Sequence, residues 1–307
     1  MELGLTPFDF GELSARSLTE QAAFAEKLGY RSFWLPENHF NPQAIPDPLT
    51  QLAAVAAGTD AMKLATTSYL LPLRNPLLAA EQVAVLDRLS QGRVLLGVGR
   101  GYSKETLHAF DINPKTKREL FEWSLELMLK AWSGEAVSLH EDGSSAVQVE
   151  PRPIQQPHPP IWVAAFGPKA LAQAGRLGLP YLASPIETFD DLVKNYGRYD
   201  AAVSEAGHAP MNTRPFMRTV FVSKDKDTLA VLRENLRTTK LPRGLETSKD
   251  IDAWTLIGEP AYVEDKLAQY AEALNPTHLV VTHLRVEGVS QGALRESIAT
   301  VPSLLGA

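Results

Sequence analysis

The sequence predicts one (β/α)8 barrel over residues 1–307, an α/β fold in a single domain with loop insertions. Strand and helix patterns alternate about eight times along the chain, and no linker rich in Pro, Gly or Ser divides them. A chain of 307 residues that is 44% hydrophobic can bury the core of such a barrel. The third observation is the stretch 64–101, which reads as a complete βαβ unit with turn residues at every junction.

The chain begins with two further strand and helix pairs. Apolar patterning predicts strands at 2–6 and 31–35 and helices at 17–28 and 48–58. The βαβ unit follows. Its first strand, 64–71, ends at Pro72, and Pro76 stands where a first helical residue is expected.

The helix of this unit keeps apolar residues on one face over 77–89 and is closed by Ser90, Gln91 and Gly92. The next strand, 94–98, is apolar throughout, which is typical of a parallel strand covered on both faces. Asp87, Arg88 and Arg93 flank the turn, and we expect them to form an ion-pair network that fixes the helix against the strand.

The alternation continues to the end of the chain. Helical patterns are predicted at 117–132, 168–177, 189–206, from 225 onward, at 260–273 and at 291–300, and strands at 161–165, 181–183, 216–222 and 278–283. Two segments, 134–160 and 241–258, do not fit a barrel element and are expected to be insertions or mobile loops.

Composition excludes several classes of function. The net charge is −6 and no run of Lys or Arg occurs, so neither a nucleic acid nor an anionic membrane is an expected partner. Cys is absent, which excludes disulfides, iron–sulfur ligation and thiol nucleophiles. No apolar segment reaches the length of a membrane span, and no export signal precedes the first strand, so we expect a soluble, cytoplasmic protein.

The second predicted strand is followed by Glu37, Asn38 and His39. In a barrel this position lies on the catalytic face. On an extended segment Glu37 and His39 point to one side and Asn38 to the other, so a carboxylate and an imidazole are placed to act together in proton transfer. The alternative is a histidine that bonds to a neighbouring strand. No metal site is expected, because no H-E-x-x-H or comparable cluster occurs.

Two features predict an anion site. Arg100 lies between Gly99 and Gly101 at a strand end, where a guanidinium can bind a phosphate, although a surface ion pair would have the same spacing. The segment Gly167, Pro168, Lys169 and Ala170 begins a helix after a strand, and free N–H groups at a helix start suit a phosphate. The glycines at 97, 99 and 101 do not make a dinucleotide fingerprint, because the third comes too early.

Other polar residues lie near predicted strand ends. Thr67 and Ser68 interrupt an apolar run and are placed either to face a polar ligand or to cap local backbone. His283 ends the last strand and is placed either to face the site or to be satisfied by local hydrogen bonds, which is the more common outcome for a lone histidine. Neither a G-x-S-x-G elbow nor a G-x-x-x-x-G-K-[ST] loop occurs, which argues against serine hydrolases and P-loop nucleotidases.

Three segments together resemble the bacterial luciferase-like flavin-dependent oxidoreductases: FWLPENHF at 33–40, LPLRNPLLAAEQVAVLDRLSQGRVLLGVGRG at 71–101 and PPIWVAAFG at 159–167. The resemblance implies a barrel that holds FMN, or in one branch a deazaflavin, at the carboxyl ends of its strands. By the same resemblance Arg100 and the helix start at Gly167, Pro168, Lys169 and Ala170 form the phosphate site. Thr67 and Ser68 match a non-proline cis peptide beneath the flavin ring, and Glu37, His39 and Tyr102 line the pocket above it.

One departure bears on the chemistry. The light-emitting members have two adjacent histidines, of which the first is catalytic, and this chain has Asn38 at that position. Asn does not exchange a proton near neutral pH, so light emission is not expected and the catalytic role falls to His39.

The resemblance predicts a monooxygenase that uses reduced FMN and O2 on a small organic substrate, with a separate flavin reductase as partner and a homodimer as the assembly. Two alternatives remain: a deazaflavin-dependent hydride-transfer enzyme and a non-catalytic flavin-binding protein. Loops at 102–115, 134–160 and 241–258 are expected to set the substrate.

Overall fold

The computed structural model describes residues 1–11, 13–238, 250–283 and 286–305. The strands of this part of the chain are β1 (Glu2–Leu5), β2 (Ser32–Leu35), β3 (Lys63–Thr66), β4 (Tyr69–Leu70), β5 (Val94–Gly99), β6 (Ala136–Val137), β7 (Val147–Gln148), β8 (Ile161–Ala164), β9 (Tyr181–Leu182), β10 (Pro215–Val222), β11 (Thr255–Gly258) and β12 (His278–Thr282). The helices are α1 (Ala15–Lys27), α2 (Pro48–Ala57), α3 (Pro76–Leu89), α4 (Lys104–Ala109), α5 (Lys117–Ser133), α6 (Pro168–Arg176), α7 (Phe189–Glu205), α8 (Lys226–Thr238), α9 (Pro260–Leu274) and α10 (Gln291–Thr300).

The large sheet is parallel and curls into a barrel. Its strands lie in the order β11, β10, β12, β1, β2, β3, β5, β8 and β9, with β4 paired to β5. The strand at one end, β9, contacts β10 near the other end, so the sheet closes on itself. The (β/α)8 barrel predicted from the alternation of elements is therefore confirmed.

Local sequence explains the boundaries of α3. Asn75 caps it by accepting hydrogen bonds from the backbone N–H groups of Leu77 and Leu78, and Pro76 occupies the first turn. The helix ends with Ser90 as its C-cap. This matches the predicted unit, and Val94–Gly99 matches the predicted buried strand.

The strand predicted at 64–71 is wrong in its second half. The structure ends β3 at Thr66, makes a cis peptide between Thr67 and Ser68, and resumes with the two-residue strand β4 before a 3-10 turn at Leu71–Leu73. The apolar run conceals this break because the residues on both sides of it are buried or half-buried.

The prediction that 241–258 is a continuous loop is wrong. Its last four residues form β11, which is fully buried and extends the sheet beside the carboxyl half of β10. Residues 241–249 lie outside the described residues. The other predicted insertion, 134–160, contains only the short antiparallel pair β6 and β7. In the described residues no helix is long and apolar enough to cross a membrane.

A layer of large side chains fills the barrel interior and forms the floor of its mouth. It consists of Trp34, Ala65, Leu95, Trp162, Leu182, Met217 and Val280. The rings of Trp34 and Trp162 lie 5.2 Å apart. Thr67 touches this layer through a 3.3 Å contact of its hydroxyl with the Met217 sulfur. Residues at the carboxyl strand ends therefore stand above a packed floor.

Candidate active site

Glu37 is held at the mouth of the barrel by four donors. Its side chain is fully buried just after β2. Arg74 approaches it in a fork, with Nη2 2.8 Å from Oε1 and Nη1 3.0 Å from Oε2. The Leu70 N–H donates to Oε2 at 2.8 Å, and His39 Nε2 lies 3.0 Å from Oε1. A carboxylate has about four acceptor positions, so Glu37 is saturated.

Arg74 is itself well anchored. Its guanidinium lies 3.8 Å from the centre of the Tyr69 ring and donates to the Leu70 carbonyl at 2.8 Å. Burial alone would lower the pKa of Arg74, but the hydrogen bonds to Glu37 raise it above its ordinary value. Arg74 was not predicted from the sequence as a residue of this site. The available signal was a cation in the short turn between Pro72 and Pro76, directly after a strand end.

His39 and Asn38 point to opposite sides of the chain, as the extended segment predicts. His39 bonds Glu37, whereas Asn38 accepts the Ile45 N–H at 3.0 Å and donates its own backbone N–H to the Ile45 carbonyl at 3.1 Å. Asn38 thus closes the loop that follows His39. The alternative that His39 bonds a neighbouring strand is wrong, because its ring partner is Glu37.

Aromatic rings surround His39. Phe110 meets it edge to face with ring centroids 4.9 Å apart, and Phe40 lies 5.7 Å from both rings. Phe40 is 71% exposed and has φ +61°, a left-handed conformation that bulky residues rarely adopt. Tyr102 and Phe166, which follow β5 and β8, are 58% and 60% exposed. The mouth therefore has an aromatic rim.

Arg100 lies on the other side of the mouth, between β8 and α6. Its Nη1 donates to Gln173 Oε1 at 2.8 Å, and its Nη2 donates to the Ala164 carbonyl. It is only 7% exposed and its partners are an amide and a carbonyl, so the alternative of a surface ion pair is wrong. Burial, followed by the nearby charge of Arg118, lowers the pKa of Arg100 to about 10. A guanidinium has five N–H donors, so three remain for a ligand.

Two cations missed by the sequence analysis stand beside Arg100. Lys117 donates to the Gly101 carbonyl at 2.6 Å. Burial, then Arg100 and Arg118, hold the pKa of Lys117 below its usual value. Within the described ranges no carboxylate pairs with Arg100, Lys117 or Arg118. The signal in the sequence was two cations in the first turn of α5, where the helix dipole disfavours positive charge. We call Arg100, Lys117 and Arg118 the cation cluster.

Helix α6 contacts the cation cluster through Gln173, its sixth residue, which accepts a hydrogen bond from Arg100. Gly167 caps α6 with φ +86°, Pro168 is its first residue, and no described side chain caps its N–H groups. Lys169 is exposed and Ala170 is half-buried. Arg100 therefore bonds to residues on both sides of the predicted helix start, to the Ala164 carbonyl before it and to Gln173 after it.

Two glycines of β5, Gly97 and Gly99, lie between the Glu37 side of the mouth and the cation cluster. A Cβ at Gly97 would lie 2.0 Å from the Thr66 carbonyl oxygen, and one at Gly99 would lie 2.1 Å from Ser68 Oγ. Only glycine allows the approach of β3 and of Ser68 to β5. The cis peptide between Thr67 and Ser68, expected from the family resemblance, is confirmed.

His283 is a buried histidine directly after β12. His283 packs against Phe8 with ring centroids 6.1 Å apart, and neither of its ring nitrogens has a hydrogen-bond partner among the described residues. The expected local hydrogen bonding of His283 is therefore wrong.

The predicted ion-pair network around the α3 turn is also wrong. Asp87 accepts hydrogen bonds from the backbone of Ile154 and Gln155, and Arg93 donates to the carbonyls of Ala56 and Met62. These residues are structural, as expected, but their hydrogen-bond partners are main-chain groups and the neutral side chains of Gln155 and Thr59.

Comparison with known proteins identifies the family. Residues 5–242 match the family model described as luciferase-like monooxygenase, and the chain belongs to this family. An uncharacterized protein of Sinorhizobium fredii is 32% identical over 169 residues, which are 53% of this chain and 47% of that protein. The oxygenase component of the flavin-dependent trigonelline monooxygenase of Acinetobacter baylyi is 27% identical over 194 residues, 60% of this chain and 53% of that protein. The chain spans about half the length of these relatives.

Solved structures agree in fold. Monooxygenase RslO1 from Streptomyces bottropensis has a TM-score of 0.82 at 24% identity, covering 99% of this chain and 98% of that one. The oxygenating constituent of 3,6-diketocamphane monooxygenase of Pseudomonas putida, in complex with FMN, has a TM-score of 0.79 at 21% identity, covering 98% and 96%. The coenzyme F420-dependent tetrahydromethanopterin reductase of Methanopyrus kandleri has a TM-score of 0.75 at 20% identity, covering 98% and 96%.

Proposed function

We propose that this protein is a monooxygenase that binds reduced FMN and uses O2 to oxygenate a small organic substrate. The observation that carries the proposal is the cation cluster. Three cations that share no carboxylate partner in the described part of the chain lie beside β8 and α6, and they would bind a doubly charged anion such as the FMN phosphate.

The residues at the mouth fit a flavin. Arg100 and Lys117, with the first turn of α6 at Gly167, Pro168, Lys169 and Ala170, would hold the phosphate. The turn at Thr67 and Ser68 would lie under the ring system, and Gly97 and Gly99 hold this turn in place because they let β3 and Ser68 pack closely against β5. Tyr102 and Glu37 would border it. When bound, reduced flavin supplies the electrons that activate O2.

The chain itself supplies a proton-handling group and an apolar surround. His39 is the imidazole at the mouth, with a side chain 8% exposed beside the fully buried Glu37. It would take a proton from the substrate or return one, while Glu37 and Arg74 hold its ring in place. The rings of Phe40 and Phe110 exclude water from this position.

Oxygen incorporation tests the proposal. Purified protein with chemically reduced FMN, 18O2 and a panel of small organic compounds should yield product that carries one labelled oxygen atom. His39→Gln should lower product formation by about 100-fold or more, the usual contribution of a general acid or base, and should leave FMN affinity unchanged.

The other outcomes separate the alternatives. Substrate reduction or oxidation only with the deazaflavin coenzyme, without O2 uptake, would assign the chain to hydride transfer. FMN binding without conversion of any compound in the panel, accompanied by release of hydrogen peroxide at the rate of free reduced FMN, would favour a flavin-binding protein.

The assembly and location are also proposals. The name of the trigonelline relative, an oxygenase component, supports a separate reductase as the source of reduced FMN here. We also propose that the protein is a homodimer located in the cytoplasm. Size-exclusion chromatography with light scattering tests the dimer, and a monomer at all protein concentrations would contradict it.

A further inference from the structure

The hydrogen bonds around His39 set which of its two ring nitrogens carries a proton. Glu37 receives donors from Arg74 and from the Leu70 N–H, so its carboxylate acts only as an acceptor. The group that reaches its Oε1 from His39 is Nε2, at 3.0 Å. In the neutral imidazole Nε2 must therefore carry the proton, and Nδ1 must be the bare acceptor.

The bare nitrogen is the one left for a ligand. His39 Nδ1 makes no hydrogen bond within the described residues, and it is not among the atoms that are buried without a partner. Phe110 and Phe40 cover the neighbouring space with ring centroids 4.9 and 5.7 Å from the imidazole. A ligand that reaches Nδ1 must therefore place a polar atom on it and an apolar body against these two rings.

We infer that Arg74 and Glu37 fix His39 as a hydrogen-bond acceptor, and that the substrate is an aromatic compound with a hydroxyl or N–H group that donates to His39 Nδ1. This inference rests on the proposed function, because it names the substrate class of the same site. Arg74 is a positioning residue, since it acts on His39 only through Glu37.

Phe40 offers a surface for the aromatic ring of the proposed substrate. Its ring is 71% exposed beside His39, and its backbone holds the uncommon φ of +61° that places it there. A flat ring can stack on its open face with its hydroxyl toward His39. In turnover the substrate O–H bond breaks, the proton forms a bond to Nδ1, and the electron pair stays on the substrate oxygen. The resulting imidazolium is stabilised by Glu37.

The first test measures the tautomer and needs no flavin. The protein is labelled with 15N-histidine, and the side-chain nitrogen shifts are recorded near pH 8.5, above the ordinary imidazole range. The spectrum of His39→Gln identifies the signals of His39 among the seven histidines. The expected result is a protonated Nε2 and a bare Nδ1. Glu37→Gln should abolish this preference and Arg74→Lys should retain it. A protonated Nδ1 in the unaltered protein would overturn the inference.

The second test compares two probes that differ by one donor. 1-Naphthol and 1-methoxynaphthalene are titrated into the unaltered protein, both flavin-free and saturated with FMN. 1-Naphthol should bind at least about tenfold more tightly, because the ether leaves Nδ1 without a donor. His39→Phe should remove the difference, whereas Phe40→Ser should weaken both probes about two- to tenfold and keep their ratio.

The outcomes separate this inference from the proposed function. Equal affinity of the two probes for the unaltered protein overturns the inference, even if FMN binds. Failure of FMN to bind contradicts the proposed function, while the tautomer and the probe ratio in the flavin-free protein still decide the inference. A ratio that persists in His39→Phe also overturns it, because another residue would then be the acceptor.

Discussion

Acid should destabilise the fold through His283, a buried imidazole directly after β12. The ring is 5% exposed and packs edge to face against Phe8, and neither nitrogen has a hydrogen-bond partner among the described residues. Burial lowers the pKa of His283 from 6.5 to about 4. Within the part of the chain that the structure describes, burial is the cause of this shift and no neighbouring charge offsets the cost of protonating the ring.

The magnitude follows from this pKa. Because the pKa is lowered in the folded state, the unfolded chain binds a proton between about pH 6.5 and 4 that the folded protein does not. The free energy of unfolding therefore falls as the pH falls through this window and stops falling through His283 below about pH 4. A difference of about 2.5 in pKa at about 1.36 kcal/mol for each unit gives about 3 kcal/mol.

Urea unfolding followed by circular dichroism at pH values from 7.5 to about 4 measures this window. His283→Leu has a similar volume and cannot titrate, so its stability should fall about 3 kcal/mol less than that of the unaltered protein. His140→Gln, in the exposed turn between β6 and β7, is the matched control and should follow the unaltered protein. Identical pH dependence of His283→Leu and the unaltered protein would refute the argument.

Two further predictions concern the mouth. Arg74→Ala should lower the free energy of unfolding by about 3 kcal/mol, because it leaves the Glu37 carboxylate buried without its cation. Arg74→Lys should lower it less. An unchanged free energy of unfolding for Arg74→Ala, measured by urea unfolding, would show that the paired hydrogen bonds of Arg74 do not hold Glu37. Gly97→Ala should cost at least about 2 kcal/mol, since its Cβ would lie 2.0 Å from the Thr66 carbonyl oxygen. Gly197→Ala in α7, where a Cβ meets nothing within 4 Å, should be neutral or stabilise by up to about 1 kcal/mol. Equal melting temperatures of the two glycine variants would contradict the close packing of β3 on β5.

The fold was predictable because its signals are local. Asn75, Pro76 and the turn at Ser90, Gln91 and Gly92 mark the ends of α3, and continuous apolar runs mark the parallel strands. The errors arose where the backbone departs from a regular element. The strand at 64–71 keeps its apolar pattern across the break at Thr67 and Ser68, and the four residues of β11 are too few for periodicity to identify.

The site was predictable in part. The shared side of Glu37 and His39 follows from the geometry of an extended chain, and the structure confirms it. Arg74, Lys117 and Arg118 were missed because their roles depend on long-range approach: Arg74 is 37 residues from Glu37, and Arg100 meets Gln173 across 73 residues. The burial of Arg100 and His283 likewise arises from packing between distant segments, which one sequence does not reveal.

The most direct test of the proposed function is calorimetric titration with FMN and with riboflavin, which differ only in the phosphate. We predict that FMN binds about 10- to 100-fold more tightly, the range expected for charge-assisted hydrogen bonds, and that Arg100→Met reduces this difference while leaving riboflavin affinity unchanged. Arg88→Met, whose guanidinium bonds the Arg152 carbonyl, serves as the control and should behave as the unaltered protein. Equal affinities for FMN and riboflavin in the unaltered protein, or an undiminished difference in Arg100→Met, would contradict the assignment of the cation cluster as the flavin phosphate site.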